Sequence, residues 1–194
     1  MGELLGCMIA TINRPTLPAA INSALSQFDE VIVIADDTNL DIAALPEGPV
    51  YIKTGRRFDR YGSACWNLGA YVTRCDYITQ LGDDDEWTPD AVDIIRRRMH
   101  DEPDVDVWIP GLRYNDGHDV CMTAGLGPGN VAAPITTPRA YFTTPFTAAH
   151  AEHAGLTDYA HIASLADHDH TLGWIGAPIY LVRPHALGRH GDGR

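Results

Sequence analysis

Three apolar runs constrain this chain most. LLGCMIAT (4–11), VIVIA (31–35) and YITQL (77–81) have the length of buried strands, and polar or acidic residues follow each of them. Helical spacing fills the gaps between them. Leu17, Ile21, Leu25 and Phe28 recur at that spacing, after Thr16 as a cap and Pro18 in the first turn. Residues 63–75 read as a second helix, with Ala64, Leu68, Val72 and Cys75 on one side. TPDAVDIIRRRM (88–99) reads as a third: Thr88 caps it, Pro89 takes its first position, and Asp90 suits the positive end of its dipole. Val92, Ile95 and Met99 then face inward, and Arg96 to Arg98 suit the negative end. Short strands are expected at 50–53 and 105–110. This order predicts a largely parallel sheet with helices on both faces, and a ligand site outside the carboxyl ends of the strands.

The second half is less regular. Residues 115–138 are rich in Gly and Pro and read as a long loop. A helix follows at 156–170, then the strand WIGAPIYLV (174–182) and a frayed tail, RPHALGRHGDGR. One domain accommodates the 194 residues. The expected division is 1–110 and 111–194, two halves of the same domain.

Composition removes several function classes. A net charge of −12 opposes general binding to nucleic-acid backbones. No apolar run approaches the roughly 20 residues that span a bilayer, so no integral membrane segment is expected. The N-terminus has no basic region ahead of an apolar one, and four cysteines without CxxC spacing suit reduced thiols. A cytoplasmic location is the expectation.

The chemistry concentrates in QLGDDDEWTPD (80–90). Adjacent carboxylates repel one another, and a divalent cation or proton uptake relieves them. Asp36-Asp37 ends another strand. If the strands are parallel, both clusters share one rim. Asp oxygens are hard ligands suited to Mg²⁺ or Mn²⁺. The alternative is a solvated turn ahead of a helix.

Four ordered segments carry a family resemblance: ATINRPTLPAAINSALSQ (10–27), VIVIADDTN (31–39), GSACWNLGA (62–70) and YITQLGDDDEWTPD (77–90). Together they resemble family-2 glycosyltransferases of the GT-A fold, a Rossmann-like, mostly parallel sheet flanked by helices, here with a short C-terminal acceptor-side segment. TDY (157–159) and APIYLVRPH (177–185) are similar to two further elements of that family. Three positions depart from the pattern: Trp66 replaces an Arg, Gly82 an Asp and Thr157 a Glu.

The resemblance implies a nucleotide-diphospho-sugar donor, a UDP- or GDP-sugar, and sugar transfer with inversion to an acceptor that the sequence does not identify. It implies that Ala10, Thr11 and Asn13 line the base pocket, that Asp37 bonds base or ribose, and that Asn67 lies near the donor. Asp83 and Asp84 align with the ribose-and-metal pair. Asp85 is the third candidate, so the register of Mn²⁺ or Mg²⁺ ligation stays open, and His185 would complete the metal shell. Arg56, with Arg57 and Arg60, would supplement the metal at the diphosphate. Asp158 is the expected catalytic base, with Asp167 and Asp169 as rivals. Trp66, Trp87 and Trp174 would stack on base or sugar, or simply pack. The alternative function is a catalytically inactive nucleotide-sugar-binding module of the same fold.

Overall fold

A computed structural model describes residues 3–36, 40–58, 63–127, 134–143 and 157–184. Among the described residues nine strands form one sheet: β1 (Leu5–Thr11), β2 (Glu30–Ala35), β3 (Val50–Lys53), β4 (Tyr77–Gly82), β5 (Glu86–Trp87), β6 (Val107–Tyr114), β7 (Asp119–Val120), β8 (Thr136–Pro138) and β9 (Leu172–Val182). The order across the sheet is β3-β2-β1-β4-β8-β6-β9-β5, with β7 beside β6. β3, β2, β1 and β4 are mutually parallel, as are β6 and β9. The β4–β8, β6–β8, β6–β7 and β5–β9 pairs are antiparallel. This is the GT-A-type α/β architecture that the sequence implies. The expected boundary at residue 110 falls inside β6, and β8 from the second half pairs with β4 from the first.

Helices α1 (Leu17–Leu25), α2 (Ser63–Val72), α3 (Ala91–Asp101) and α4 (Thr157–Asp167) flank the sheet. Two apolar clusters result. The larger joins Leu17, Ile21, Ile95, Ile162 and Leu165 to Leu5, Cys7 and Ile9 of β1. The smaller places Cys65 and Ala70 of α2 on Met8, Ile32, Ile34 and Ile78. The four cysteines are free and buried, and burial pushes the Cys7 and Cys65 thiols up to about 12. No described helix is long and apolar enough to cross a membrane.

Four local expectations need correction. The buried side of α2 runs through Cys65, Gly69 and Ala70, while Val72 is exposed. Gly69 favours that rotation: a Cβ there would sit 2.7 Å from the Met8 sulfur and 3.0 Å from Ile34 Cδ1, so a larger residue would force those side chains to shift. Thr16 does precede α1, but its hydroxyl makes no cap bond and donates to the Asp83 carbonyl at 2.7 Å. α3 starts at Ala91, after Pro89, and Thr88 Oγ1 donates to Asp90 Oδ1 (2.8 Å). Its first turn is served from a distance by Gln27, whose Oε1 accepts from the Val92 N–H at 3.3 Å. Lastly, the 115–138 segment contains β7 and β8.

Candidate active site at the carboxyl edge of the sheet

The parallel register brings the ends of β1, β2 and β4 to one edge. Ala10 lies beside Ile34 and Gly82, and Thr11 beside Ala35. The turns leaving that edge carry Asn13, Asp36 and Asp83 to Asp85, as expected from a parallel sheet.

The three consecutive acids have three different environments. Asp83 is 1% exposed and faces the turn after β1. Its Oδ2 accepts from Thr11 Oγ1 (2.7 Å) and the Ile12 N–H (3.1 Å), and its Oδ1 pairs with the Arg14 guanidinium. Thr11 Oγ1 also accepts from the Asn13 N–H at 2.8 Å, which fixes Asn13 at φ 68°, a left-handed conformation that Asn tolerates. The β1 turn is thus folded around Asp83.

Asp85 folds back toward β9. Its Oδ2 accepts from the Tyr180 hydroxyl (2.7 Å) and its Oδ1 from the Arg183 N–H (2.9 Å). The Tyr180 oxygen itself accepts from the Gly82 N–H at 3.0 Å. Burial pushes the Asp85 carboxyl up to about 6, the neighbouring Asp84 charge adds to that, and the Tyr180 and Arg183 bonds oppose it. Burial, and then the nearby Asp85, also hold the Tyr180 phenol well above its ordinary value. Gly82 makes room for this arrangement: a Cβ there would stand 2.6 Å from Asp85 Oδ2 and 3.3 Å from Asp84 Oδ1. The glycine that departs from the family pattern is where the following carboxylates pack.

Asp84 is the accessible member, with its side chain 21% exposed. Its Oδ2 lies 3.1 Å from Arg183 Nε and its Oδ1 3.9 Å from Arg14 Nη1. Two like charges about 5 Å apart repel by roughly 3 kcal/mol at an effective dielectric of 20. Two guanidiniums inserted among three carboxylates offset that repulsion. For Arg14, burial favours the neutral form, but the charges of Asp83 and Asp84 and the bond to Asp83 outweigh it and raise its pKa.

Other expected site residues are engaged in packing or lie elsewhere. Asp36 is buried, and its Oδ1 accepts from the Phe58 N–H at 2.7 Å, which ties the loop after β3 to the end of β2. Arg56, on that loop, stacks over the Phe58 ring at 4.7 Å. Asn67 lines a shallow groove of about 580 Å³ with Tyr71, Asp76 and Arg139, near the start of β4 and away from the acids that follow its end. Trp87 packs in the core, edge-on to Tyr180 with ring centroids 4.9 Å apart. Trp66 and Trp174 are half-buried against the two apolar clusters. Asp158 belongs to α4, and only its place in that helix is described. Asp37, Arg60 and His185 lie outside the described residues.

Three residues that the sequence alone does not single out, Arg14, Tyr180 and Arg183, organise this edge. For the two arginines the sequence signals a need for cations here, though not their partners. Both arginines sit in resemblance-bearing segments, NRPT and YLVR, and a run of acids next to a buried strand requires cations.

A divalent cation fits this donor set in one way. Asp83 and Asp85 have both oxygens engaged, and among the described residues no three His, Cys, Asp or Glu side chains converge on a metal position. Asp84 is left. Magnesium-like ions are commonly held by one or two carboxylates together with substrate phosphates and water. The residues therefore fit a cation shared with a diphosphate.

Solved structures share this architecture. S. aureus TarS 1–349 in complex with UDP superposes with a TM-score of 0.71 at 13% identity, over 92% of this chain and 60% of that one. The complex of the same protein with UDP-GlcNAc gives 0.68 at 14% identity, over 97% and 60%. S. aureus TarS gives 0.70 at 12%, over 92% and 36%. At such identities the likeness shows the fold, and this chain spans about 60% of the length of TarS 1–349. No curated protein sequence gives a match. The family Glycosyl transferase family 2 matches residues 7–153, well over half of the chain. The chain belongs to glycosyl transferase family 2.

Proposed function

We propose that this protein transfers a sugar from a nucleotide-diphosphate donor, bound at the carboxyl edge of β1, β2 and β4, to an acceptor nucleophile. The observation that carries the reading is the acidic turn. Asp83 locks the turn after β1, and Asp84 stays accessible beside two arginines. Family membership and the UDP and UDP-GlcNAc complexes of TarS support a nucleotide-sugar donor.

In this reading the base lies against the β1 turn, near Ala10, Thr11 and Asn13, with Asp37 as a further contact. The diphosphate reaches Asp84, and Arg56 adds positive charge from the loop after β3. Asp83 acts by holding the β1 turn in place. Transfer breaks the bond between the anomeric carbon and the diphosphate oxygen as the acceptor attacks from the opposite face. Asp158 takes the acceptor's proton, and the sugar carbon is inverted. Negative charge grows on the departing diphosphate, where fixed positive groups are worth most. Asp84 and His185 would hold Mn²⁺ or Mg²⁺, which would supply Lewis-acid stabilisation of that charge. The protein works in the cytoplasm.

Thermal-shift measurements with UDP and GDP, with and without Mn²⁺, test the donor site, and a donor-hydrolysis assay tests turnover. One nucleotide is expected to stabilise the protein in a metal-dependent way, and that response is expected to vanish in Asp84→Ala. Stabilisation that survives Asp84→Ala with full metal dependence would overturn the ligand assignment. Binding without turnover across acceptor panels would favour the inactive module.

A further inference from the structure

We propose that Arg183 is a donor-binding residue: its guanidinium rests on Asp84 in the donor-free protein and passes to the donor's diphosphate on binding. The proposal rests on the reading of this edge as a nucleotide-sugar site.

The two arginines among the acids are not equivalent. Arg14 serves Asp83, whose side chain is 2% exposed, and gives Asp84 only a 3.9 Å contact. Moving it would strand a buried carboxylate, so it stays. Arg183 meets Asp84 through Nε at 3.1 Å, with side chains 37% and 21% exposed. Half-exposed pairs of this kind contribute little to stability and exchange readily. A diphosphate offers a guanidinium two charged oxygens in a matching fork, a better partner than one carboxylate oxygen.

The backbone keeps Arg183 at the edge while its side chain exchanges. The Arg183 N–H donates to Asp85 Oδ1 at 2.9 Å, independently of the side chain. Its φ of 46° lies in the left-handed region, directly before Pro184, where non-glycine residues are disfavoured. Such a conformation persists only where the surroundings impose it. Here the imposing group is Asp85, itself held by Tyr180. The acidic turn needs a movable cation if a diphosphate is to approach it, and Arg183 supplies one.

The test is isothermal titration of UDP and of uridine into the wild type, Arg183→Ala, Arg183→Lys and Asp84→Asn. Arg183→Ala is expected to weaken UDP binding by about tenfold or more, the scale of a charge-assisted fork, and to leave uridine binding and the melting temperature unchanged. Arg183→Lys should recover part of the loss. In metal-free buffer Asp84→Asn should bind UDP more tightly than the wild type, because the competitor for Arg183 is gone. Equal UDP affinity in wild type and Arg183→Ala would overturn the proposal while leaving the nucleotide site intact. A wild type that binds neither UDP nor uridine would overturn both.

Discussion

The two edges of the parallel sheet solve the same problem differently. At the amino edge, Asp29, Glu30 and Asp76 meet backbone N–H groups and solvent-facing arginines. Asp29 accepts from the Leu5 N–H (2.7 Å) and pairs with Arg96 (2.5 Å), while Asp76 accepts from the Leu4 N–H (3.0 Å). Glu30 accepts from Thr73 Oγ1 (2.6 Å) and the Arg74 N–H (3.0 Å), and pairs with an Arg74 whose side chain is 86% exposed. These bonds stitch strand starts together. At the carboxyl edge, Asp83 is buried and Asp85 half-buried, and their partners are one guanidinium, one phenol and chain segments far away in sequence. Burial converts the same side chains from surface ties into the frame of a site.

The contrast is open to attack by substitution. Arg14→Ala strands Asp83 and should cost about 3–5 kcal/mol of folding stability, read from urea denaturation. A loss under about 1 kcal/mol would put the two edges on the same footing. Tyr180→Phe removes the acceptor of the Gly82 N–H and a donor to Asp85, and should cost about 1–3 kcal/mol by the same measurement. Arg74→Ala, at the amino edge, should change stability by less than about 1 kcal/mol, because water replaces an exposed partner. An Arg74→Ala loss as large as that of Arg14→Ala would remove the distinction.

Much of this edge was legible in the sequence. Apolar runs placed β1, β2 and β4, helical spacing placed α1, α2 and α3, and parallel-sheet logic put Asp36 and the Asp83–Asp85 run on one rim. What stayed hidden depends on contacts between distant segments. Arg14 reaches Asp83 across 69 positions, and Tyr180 reaches Asp85 across 95, so no local pattern signals either pair. The strand β8, only Thr136–Pro138, is set by pairing with β4 and β6 and carries no periodicity of its own. α2 is rotated by the approach of Gly69 to Met8, a packing effect that spacing rules do not contain. Gly82 looked like a lost ligand. In three dimensions it is the space that Asp85 fills.

The central claim is a division of labour between adjacent acids: Asp83 holds the fold and Asp84 faces the donor. Urea denaturation of Asp83→Asn and Asp84→Asn, each with and without UDP and Mn²⁺, tests it most directly. Asp83→Asn should lose roughly 2–4 kcal/mol without ligand, because Arg14 loses its buried counter-charge. Asp84→Asn should keep wild-type stability within about 0.5 kcal/mol and lose the increment that Mn²⁺ adds to stabilisation by UDP in the wild type. The reverse pattern, a destabilised Asp84→Asn that keeps the Mn²⁺ increment beside a stable Asp83→Asn that loses it, would contradict the account.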